Sequence, residues 1–595
     1  MKTIQFGLAE NYDSGRNCDV ATNALKAVEV HNSEASSKMW YHIGTVNGAT
    51  VNWGNSKSYS NGYNPSIAIN DGNTVVEVHE TSNVFTNTMY YKVGNLNGSS
   101  IDWGSDHSYD SGKQPSVAIN NNGTVVEVHK SQSYNDLYYR VGKIDGTKIK
   151  WGNSHKYDSG VTPSVSINNN GIVVEVHKSQ TYASLYYRVG QIDGNSIKWG
   201  SSHKYQSGVK PSIGITDNGD VIEVHESEGL TGLWQLAGRI NETEISWGSS
   251  SNFDSGSTPK TDTSFDGNTS IQVHEGSLYK LWYSNSRLMD TANFIGNLLP
   301  FISNLPLKKM VFPATHDTGM YAGGLAGRTQ DLNLYEQLSS GARYFDLRLD
   351  GNLNIRHGIV YGPKLKSVLE SIKQFYDEGH KELSILKFSH FDNFSESSYS
   401  KMRNDINKYL GPWLFKELPK GVNRLADITM GTYLNSGGKI LIVVDGDWAI
   451  NYPETGYWVY RDWDSKTPEK GDLTVYDEYS DTTDLNKMIN GQLTDLKKFN
   501  GKCDNNSQVP CDLFLLSWTL TPITAVWEYS KSANRVLGDE MMQHLTPNSY
   551  GYFTNLLYLD YFQYARPAFI ASILLKSYNN LKIVEQDTFV FADNN

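Results

Sequence analysis

Over the first 288 residues, apolar and polar side chains alternate in short runs broken by Gly, Asn and Asp. Alternation over four to eight residues between turn formers predicts half-buried β-strands. The runs recur. "VEVHN", "VEVHE", "VEVHK", "VEVHK", "IEVHE" and "IQVHE" carry His31, His79, His129, His177, His225 and His274, spaced 48 to 50 residues apart. A "WG" pair returns at Trp53, Trp103, Trp151, Trp199 and Trp247, each followed by a Tyr/Phe-x-x-Gly turn and usually by Pro-Ser. Every unit offers four strands, as in "SIKWG", "PSVSIN", "IVVEVH" and "LYYRVG". Four strands per repeat of about 40 to 50 residues is the pattern of a propeller blade. The last unit ends at "SLYKLWYSNSRL" with no "IxWG" strand behind it, and the chain begins with "TIQFG", which has that strand's pattern. The first strand is therefore expected to complete the last blade, giving six blades over residues 1–288.

Within Val-Glu-Val-His, a period of two puts Glu and His on one face and the two valines on the other. Six such pairs, with Gln in place of Glu in the last, line a channel or inter-blade grooves suited to sugars, or they are hydrogen-bonded framework repeated with the blade. The repeated Trp has the same two readings, sugar platform or blade packing. The units loosely resemble those of bacterial β-propeller lectins, which implies glycans as partners.

Past "LMDTANFIGNLLPFISNLP" the repeat is gone and apolar strand runs alternate with helical patterns. The strand candidates are "KKMVFPATH", "ARYFDLRL", "LNIRHG", "ELSILKFSH", "KILIVVDGD", "DLTVYDEYS", "LFLLSWTLT" and "NLLYLDYF". Helical periodicity appears in "PKLKSVLESIKQFYDEG" and "LNKMINGQLTDLKKF". Eight strands with helical crossovers predict a TIM-like α/β barrel over residues 289–595, irregular where crossovers read poorly as helices. The chain is thus multidomain, an all-β propeller followed by a barrel.

Composition agrees: 37 Tyr, 14 Trp and 52 Gly favour pleated surfaces and tight turns. A formal charge of −12 argues against nucleic acid as a partner and against strong whole-protein attraction to anionic membranes. No apolar leader opens the sequence, and no run of about eighteen apolar residues crosses a bilayer. Cys503 and Cys511 bracket a polar loop and either form a local disulfide or stay unpaired, Cys18 stands apart, and no metal-ligand spacing emerges.

In a barrel, chemistry gathers where strands end at their carboxyl side. There the sequence places His316, Asp317, Arg348, His357, Asp445, Asp477, Tyr479 and Asp560. Two histidines, a guanidinium and several carboxylates at one mouth suit phosphodiester chemistry, with one His as base, one as acid and a fixed cation for phosphate charge. Asp317 alone would read as a helix cap. Asp346 is expected to support the site by hydrogen bonding.

"PATHDT", "RYFDLRLDG" and "IRHG", in this order, resemble the X-region of bacterial phosphatidylinositol-specific phospholipases C, a likeness extending over roughly residues 296–590. "VYDEYS" and "YLDYF" resemble later segments of that family. The resemblance implies His316 as general base toward the inositol 2-hydroxyl, with Asp560 orienting it. It implies Arg348 as the phosphate-activating cation, His357 as acid toward the departing diacylglycerol oxygen, and Asp317 as that acid's partner. Asp477 would bind inositol hydroxyls and Tyr479 would stack on the ring. Product would be inositol 1,2-cyclic phosphate, from phosphatidylinositol or a GPI head group at a membrane surface.

Eukaryotic relatives bind calcium near the motif that here holds Arg348, so catalysis without metal or cofactor is implied. Metal-dependent glycerophosphodiesterases carry a His-Arg-Gly and a Glu-x-Asp set that this chain lacks. Two departures bear on head-group specificity: "LSILKFSHF" has Lys387 followed by Phe388, Ser389 and His390, and Asp445 stands where a basic residue is expected. Trp413, Trp458 and Trp463 are read as membrane contacts or as barrel packing. A lectin-like or toxin-like binding protein with a degenerate barrel is the rival from another class.

Overall fold

The computed structural model describes residues 2–82, 87–229, 231–322, 324, 327–463, 471–499, 512–522, 524–545 and 553–579. Cys503 and Cys511 lie outside the described residues; Cys18 is a buried free thiol. The chain divides into two compact units, Met1–Met289 and Asp290–Asn595.

The first unit is a six-bladed propeller. In the third blade, Lys113–Ile119, Thr124–Lys130, Asp136–Asp145 and Lys148–Trp151 pair antiparallel in that order, and His155–Ser159 adds to the other half of the third strand. The amino-terminal segment closes the sixth blade, but "TIQFG" forms no strand of its own and Glu10–Ser14 takes the part expected of it. Glu10–Ser14 pairs with Lys280–Ser286, and Thr3 bridges Met289.

Both faces of the Val-Glu-Val-His strand are buried, because blades pack on both sides of it. Glu127 is fully buried and His129 is 2% exposed. Each carboxylate holds the imidazole two residues on, as in Glu127 Oε2 to His129 Nδ1 at 3.0 Å; in the sixth blade Gln272 takes the carboxylate's place. The His ring also packs close against a turn glycine: a Cβ on Gly112 would stand 2.6 Å from His129 Cδ2. The Trp side chains stack across blades, Trp151 on Tyr109 at 5.3 Å and Trp199 on Tyr157 at 5.3 Å. The repeated His and Trp are thus framework. The axial cavity is lined instead by the innermost strands, through Ser66, Ser116, Ser164 and Ser212 among others.

The second unit is a closed barrel of eight parallel strands: β1 Phe312–Thr315, β2 Tyr344–Asp350, β3 Leu383–Asp392, β4 Lys439–Asp445, β5 Tyr457–Asp462, β6 Leu473–Tyr476, β7 Leu513–Ser517 and β8 Leu556–Leu559. Each pairs with the next, and β1 pairs with both β2 and β8. Two helices fall on the periodic segments, Leu365–Asp377 and Leu485–Phe499. The β4–β5 connection has only a six-residue helix, Gly446–Asn451, so the barrel is irregular there.

One predicted stave is wrong. Asn354–His357 pairs antiparallel with Val360–Lys364 as a hairpin outside the barrel, and β5, "YWVYRD", takes the place. Trp458 is therefore a stave residue whose indole N–H donates to the Phe415 carbonyl. Trp463 packs near Tyr476, and Trp413 lies against Tyr376 on an outer helix. Among the described residues, no helix is long and apolar enough to cross a membrane.

Candidate active site

Parallel closure puts all eight carboxyl ends at one mouth, and the chemistry-bearing residues ride on those ends. β1 delivers His316, whose backbone N–H is tied to the Leu559 carbonyl of β8. Immediately after it, Asp317 takes a left-handed conformation, φ 42°, which turns its carboxylate under the mouth. β2 carries Asp346 and Arg348 two apart and so on one face. The hairpin beyond β2 carries His357, and β8 runs directly into Asp560.

His316 Nδ1 lies 2.7 Å from Asp560 Oδ1, and its Nε2 lies 3.2 Å from Asp317 Oδ2. The same Asp317 oxygen is 3.5 Å from His357 Nε2, while Asp317 Oδ1 forms an ion pair with Arg348 Nε at 2.8 Å. Asp317 is fully buried and links both imidazoles to the guanidinium. Arg348 also forks onto Asp346 Oδ2, from Nη2 at 2.8 Å, and the Tyr558 hydroxyl donates to that oxygen at 2.6 Å.

Electrostatics follow from this crowding. Burial works against a charged His316, but the carboxylates of Asp317 and Asp560 outweigh it and hold the imidazole up at about 9. Burial likewise opposes charge on Asp346, and Arg348 and Lys387 reverse it, keeping the carboxylate well below its usual range. Arg348 is held charged against burial by Asp317 and Asp346.

A second cluster continues the mouth. Lys387 of β3 is buried, with Nζ 2.6 Å from Asp477 Oδ2 and 3.8 Å from Asp346 Oδ1. Its ammonium sits over the Tyr460 ring, whose hydroxyl donates to Asp477 at 2.8 Å. Tyr479 follows on an exposed segment, 60% accessible. Asp445 is spent differently: its side chain accepts from the Asp447 N–H and caps helix Gly446–Asn451.

Sequence reading brought His316, Asp317, Asp346, Arg348, His357 and Asp560 to one place, and the structure does so too. It missed Tyr558 and Tyr460 as members, and it gave Lys387 no role, noting only the Phe388, Ser389 and His390 that follow it, where the structure makes Lys387 the hub between Asp346 and Asp477. Period two was the available signal, since Lys387 shares its strand face with Ser389. His390, at the end of β3, is in a left-handed conformation, φ 50°. It faces a cavity of about 360 Å³ lined by Arg348, Arg356, Gly358, Phe391 and Asp392.

A fully buried carboxylate joining two imidazoles to a guanidinium, at the mouth of a parallel barrel, makes a site equipped for proton transfer beside a fixed positive charge. Parts of the chain are similar to known proteins. No family profile matches the chain. A 119-residue segment is 36% identical to the 1-phosphatidylinositol phosphodiesterase of Listeria monocytogenes, covering 19% of this chain and 37% of that protein. A 147-residue segment is 28% identical to PI-PLC X domain-containing protein 3 of Bos taurus, covering 19% of this chain and 46% of that one. The matched segments thus span less than half of these relatives' own length. Among solved structures, the phosphatidylinositol-specific phospholipase C of Listeria monocytogenes aligns over 48% of this chain and 99% of its own, at 20% identity and TM-score 0.35. A Penicillium chrysogenum alpha-L-arabinanase aligns over 47% of this chain and 98% of its own, at 14% identity and TM-score 0.36. The resemblance read from "PATHDT", "RYFDLRLDG" and "IRHG" is thus met again in curated relatives.

Proposed function

We propose that the barrel cleaves phosphatidylinositol-type lipids by internal attack of the inositol 2-hydroxyl on phosphorus. His316 Nε2 takes the hydroxyl proton, the oxygen–phosphorus bond forms, and the bond to the glycerol oxygen breaks. His357 gives that leaving oxygen a proton, so the products are diacylglycerol and inositol 1,2-cyclic phosphate. Asp560 fixes the His316 ring through Nδ1 and stabilises the imidazolium formed in the step. Arg348 supplies fixed positive charge to the non-bridging oxygens, which makes the step independent of calcium. Asp317 holds Arg348 and both imidazoles in register. Asp477 receives inositol hydroxyls, and the exposed Tyr479 ring covers the sugar face.

The observation that carries this reading is the position of Asp317, 2.8 Å from Arg348, 3.2 Å from His316 and 3.5 Å from His357. Base, acid and cation are thereby held within one phosphate's reach. The degenerate-barrel alternative has no use for such a junction.

The test separates acid from base. With a 4-nitrophenyl leaving group, which departs without protonation, His357→Ala is expected to regain most of the roughly 10²–10⁴-fold it loses on lipid. His316→Ala is expected to stay impaired on both substrates. Equal loss by both variants on both substrates would remove the assigned roles.

For the propeller we propose a targeting role toward glycans or GPI-bearing surfaces. Its support is the exposed aromatic tips Tyr134 and Tyr182, 71% and 72% accessible at matching turns of two blades. The buried His and the partly buried Trp, stacked between blades, take no part. A glycan array with Tyr134→Ala and Tyr182→Ala checks it.

A further inference from the structure

Two imidazoles and a carboxylate meet at the junction where the propeller ring closes. Asp13 lies on Glu10–Ser14, the amino-terminal strand that completes the sixth blade. His31 and His42 face it from two strands of the first blade, Lys26–Asn32 and Lys38–Asn47. Asp13 Oδ2 is 2.6 Å from His42 Nε2 and 3.9 Å from His31 Nε2, and one donor atom from each residue falls within 4.8 Å of the others.

Each imidazole is held from behind by its other nitrogen. His42 Nδ1 lies 2.7 Å from the Gly54 carbonyl oxygen, and His31 Nδ1 lies 3.1 Å from Glu29 Oε2. A carbonyl only accepts, so His42 Nδ1 carries a proton, and the 2.6 Å contact of Nε2 with the Asp13 carboxylate needs a second proton there, which a bound ion would displace. The Glu29 carboxylate orients His31 in the same way. Outer partners of this kind fix the tautomer and angle of metal-binding histidines. The two imidazoles are almost buried, at 3% and 5%, whereas Asp13 is 28% accessible, which leaves a route for an ion.

The neighbouring junctions provide an internal comparison. The residue paired across strands with the repeat glutamate is His42 in the first blade, Lys92 in the second, Arg140 in the third and Arg188 in the fourth. In the last three it is a fixed cation on a carboxylate: Lys92 with Asp106 at 3.2 Å, Arg140 with Asp110 at 2.7 Å, Arg188 with Asp158 at 2.9 Å. At the closing junction the position holds a metal-capable ring instead, and His31 stands beside it.

We propose that Asp13, His31 and His42 bind a divalent transition cation of the zinc type, which pins the closing strand to the first blade. Two imidazole nitrogens and one carboxylate oxygen suit zinc rather than calcium or magnesium. On a tetrahedral ion with bonds of about 2.0–2.2 Å, ligand atoms stand roughly 3.3–3.5 Å apart. The present separations of 2.6 and 3.9 Å straddle that value, so side-chain shifts below about 1 Å form the site. Water completes the fourth position.

The full chain, stripped with a chelator, is titrated with Co²⁺ and its visible absorption recorded; thermal unfolding is then followed with and without Zn²⁺. The expected result is tetrahedral Co²⁺ bands and a Zn²⁺-dependent rise of the unfolding midpoint. Both persist in His316→Ala, which controls for the three potential ligands His316, Asp317 and Asp346 in the barrel. Both vanish in His42→Arg, which restores the ion pair of the sister junctions, and Glu29→Gln weakens Zn²⁺ binding roughly 10–100-fold. If His42→Arg does not fold, Asp13→Asn decides on the same readouts. No binding at micromolar Zn²⁺ would overturn the proposal and leave a protonated His42 as a plain ion-pair partner. So would signals retained in His42→Arg, or signals lost in His316→Ala.

Discussion

His316 Nδ1 and Asp560 Oδ1 lie 2.7 Å apart across 244 residues of sequence, joining the first barrel strand to the last. Ring closure makes that contact, since β1 and β8 are direct neighbours. Asp560→Asn keeps the shape but loses the charge and can leave the imidazole in the wrong tautomer. A fall in kcat of roughly 10²–10⁴ is expected, with KM little changed and circular dichroism unaltered. A loss confined to KM would make Asp560 a substrate contact instead.

The two carboxylates beside His316 set a pH dependence. With its pKa held up at about 9, the ring is mostly protonated at neutral pH, so the base-competent form accumulates as pH rises. The base limb of kcat/KM should therefore climb toward pH 9, about tenfold per unit. Asp560→Asn should move that limb to lower pH. The linked stability has the opposite sign. It is complete below the ordinary histidine value, about 6.5, and is lost as pH rises through about 9. Urea midpoints of wild type and His316→Ala between pH 6 and 10 check this.

Arg348 reaches Asp317 and Asp346 at once, a fork that a lysine does not reproduce. Arg348→Lys should cost about 10²–10³ in kcat, and added calcium should not restore it. Restoration by calcium would show that a cation can replace the guanidinium.

Lys387 is buried between Asp346 and Asp477. Lys387→Met takes the cation from Asp477, while Asp346 keeps Arg348 and Tyr558, so a loss of about 3–5 kcal/mol is expected in chemical denaturation. A loss under 1 kcal/mol would mean that water already screens this cluster.

Legibility tracked how local the signal was. The propeller was plain because one strand set is written six times, though the closing strand was misplaced: "TIQFG" shares the IxWG pattern, yet Glu10–Ser14 makes the pairing. Most staves were plain because each is a short apolar run ending in polar residues. "LNIRHG" failed because a hairpin strand alternates like a stave and period alone does not reveal its partners. "YWVYRD" was passed over as a stave because its tryptophans were weighed as membrane contacts or barrel packing and the run was not counted as a strand. Asp445 was placed correctly at a strand end, yet the Gly and Asp behind it make a helix start, and its carboxylate is used there. Tyr558 and Lys387 act through contacts with residues far away in sequence, which no local pattern displays.

The most direct measurement is phosphorus product release from phosphatidylinositol vesicles in excess EGTA, comparing the intact chain with His316→Ala. Inositol 1,2-cyclic phosphate from the intact chain alone is the expected result. Product only after calcium is restored, or equal product from His316→Ala, would contradict the assignment of His316 and Arg348.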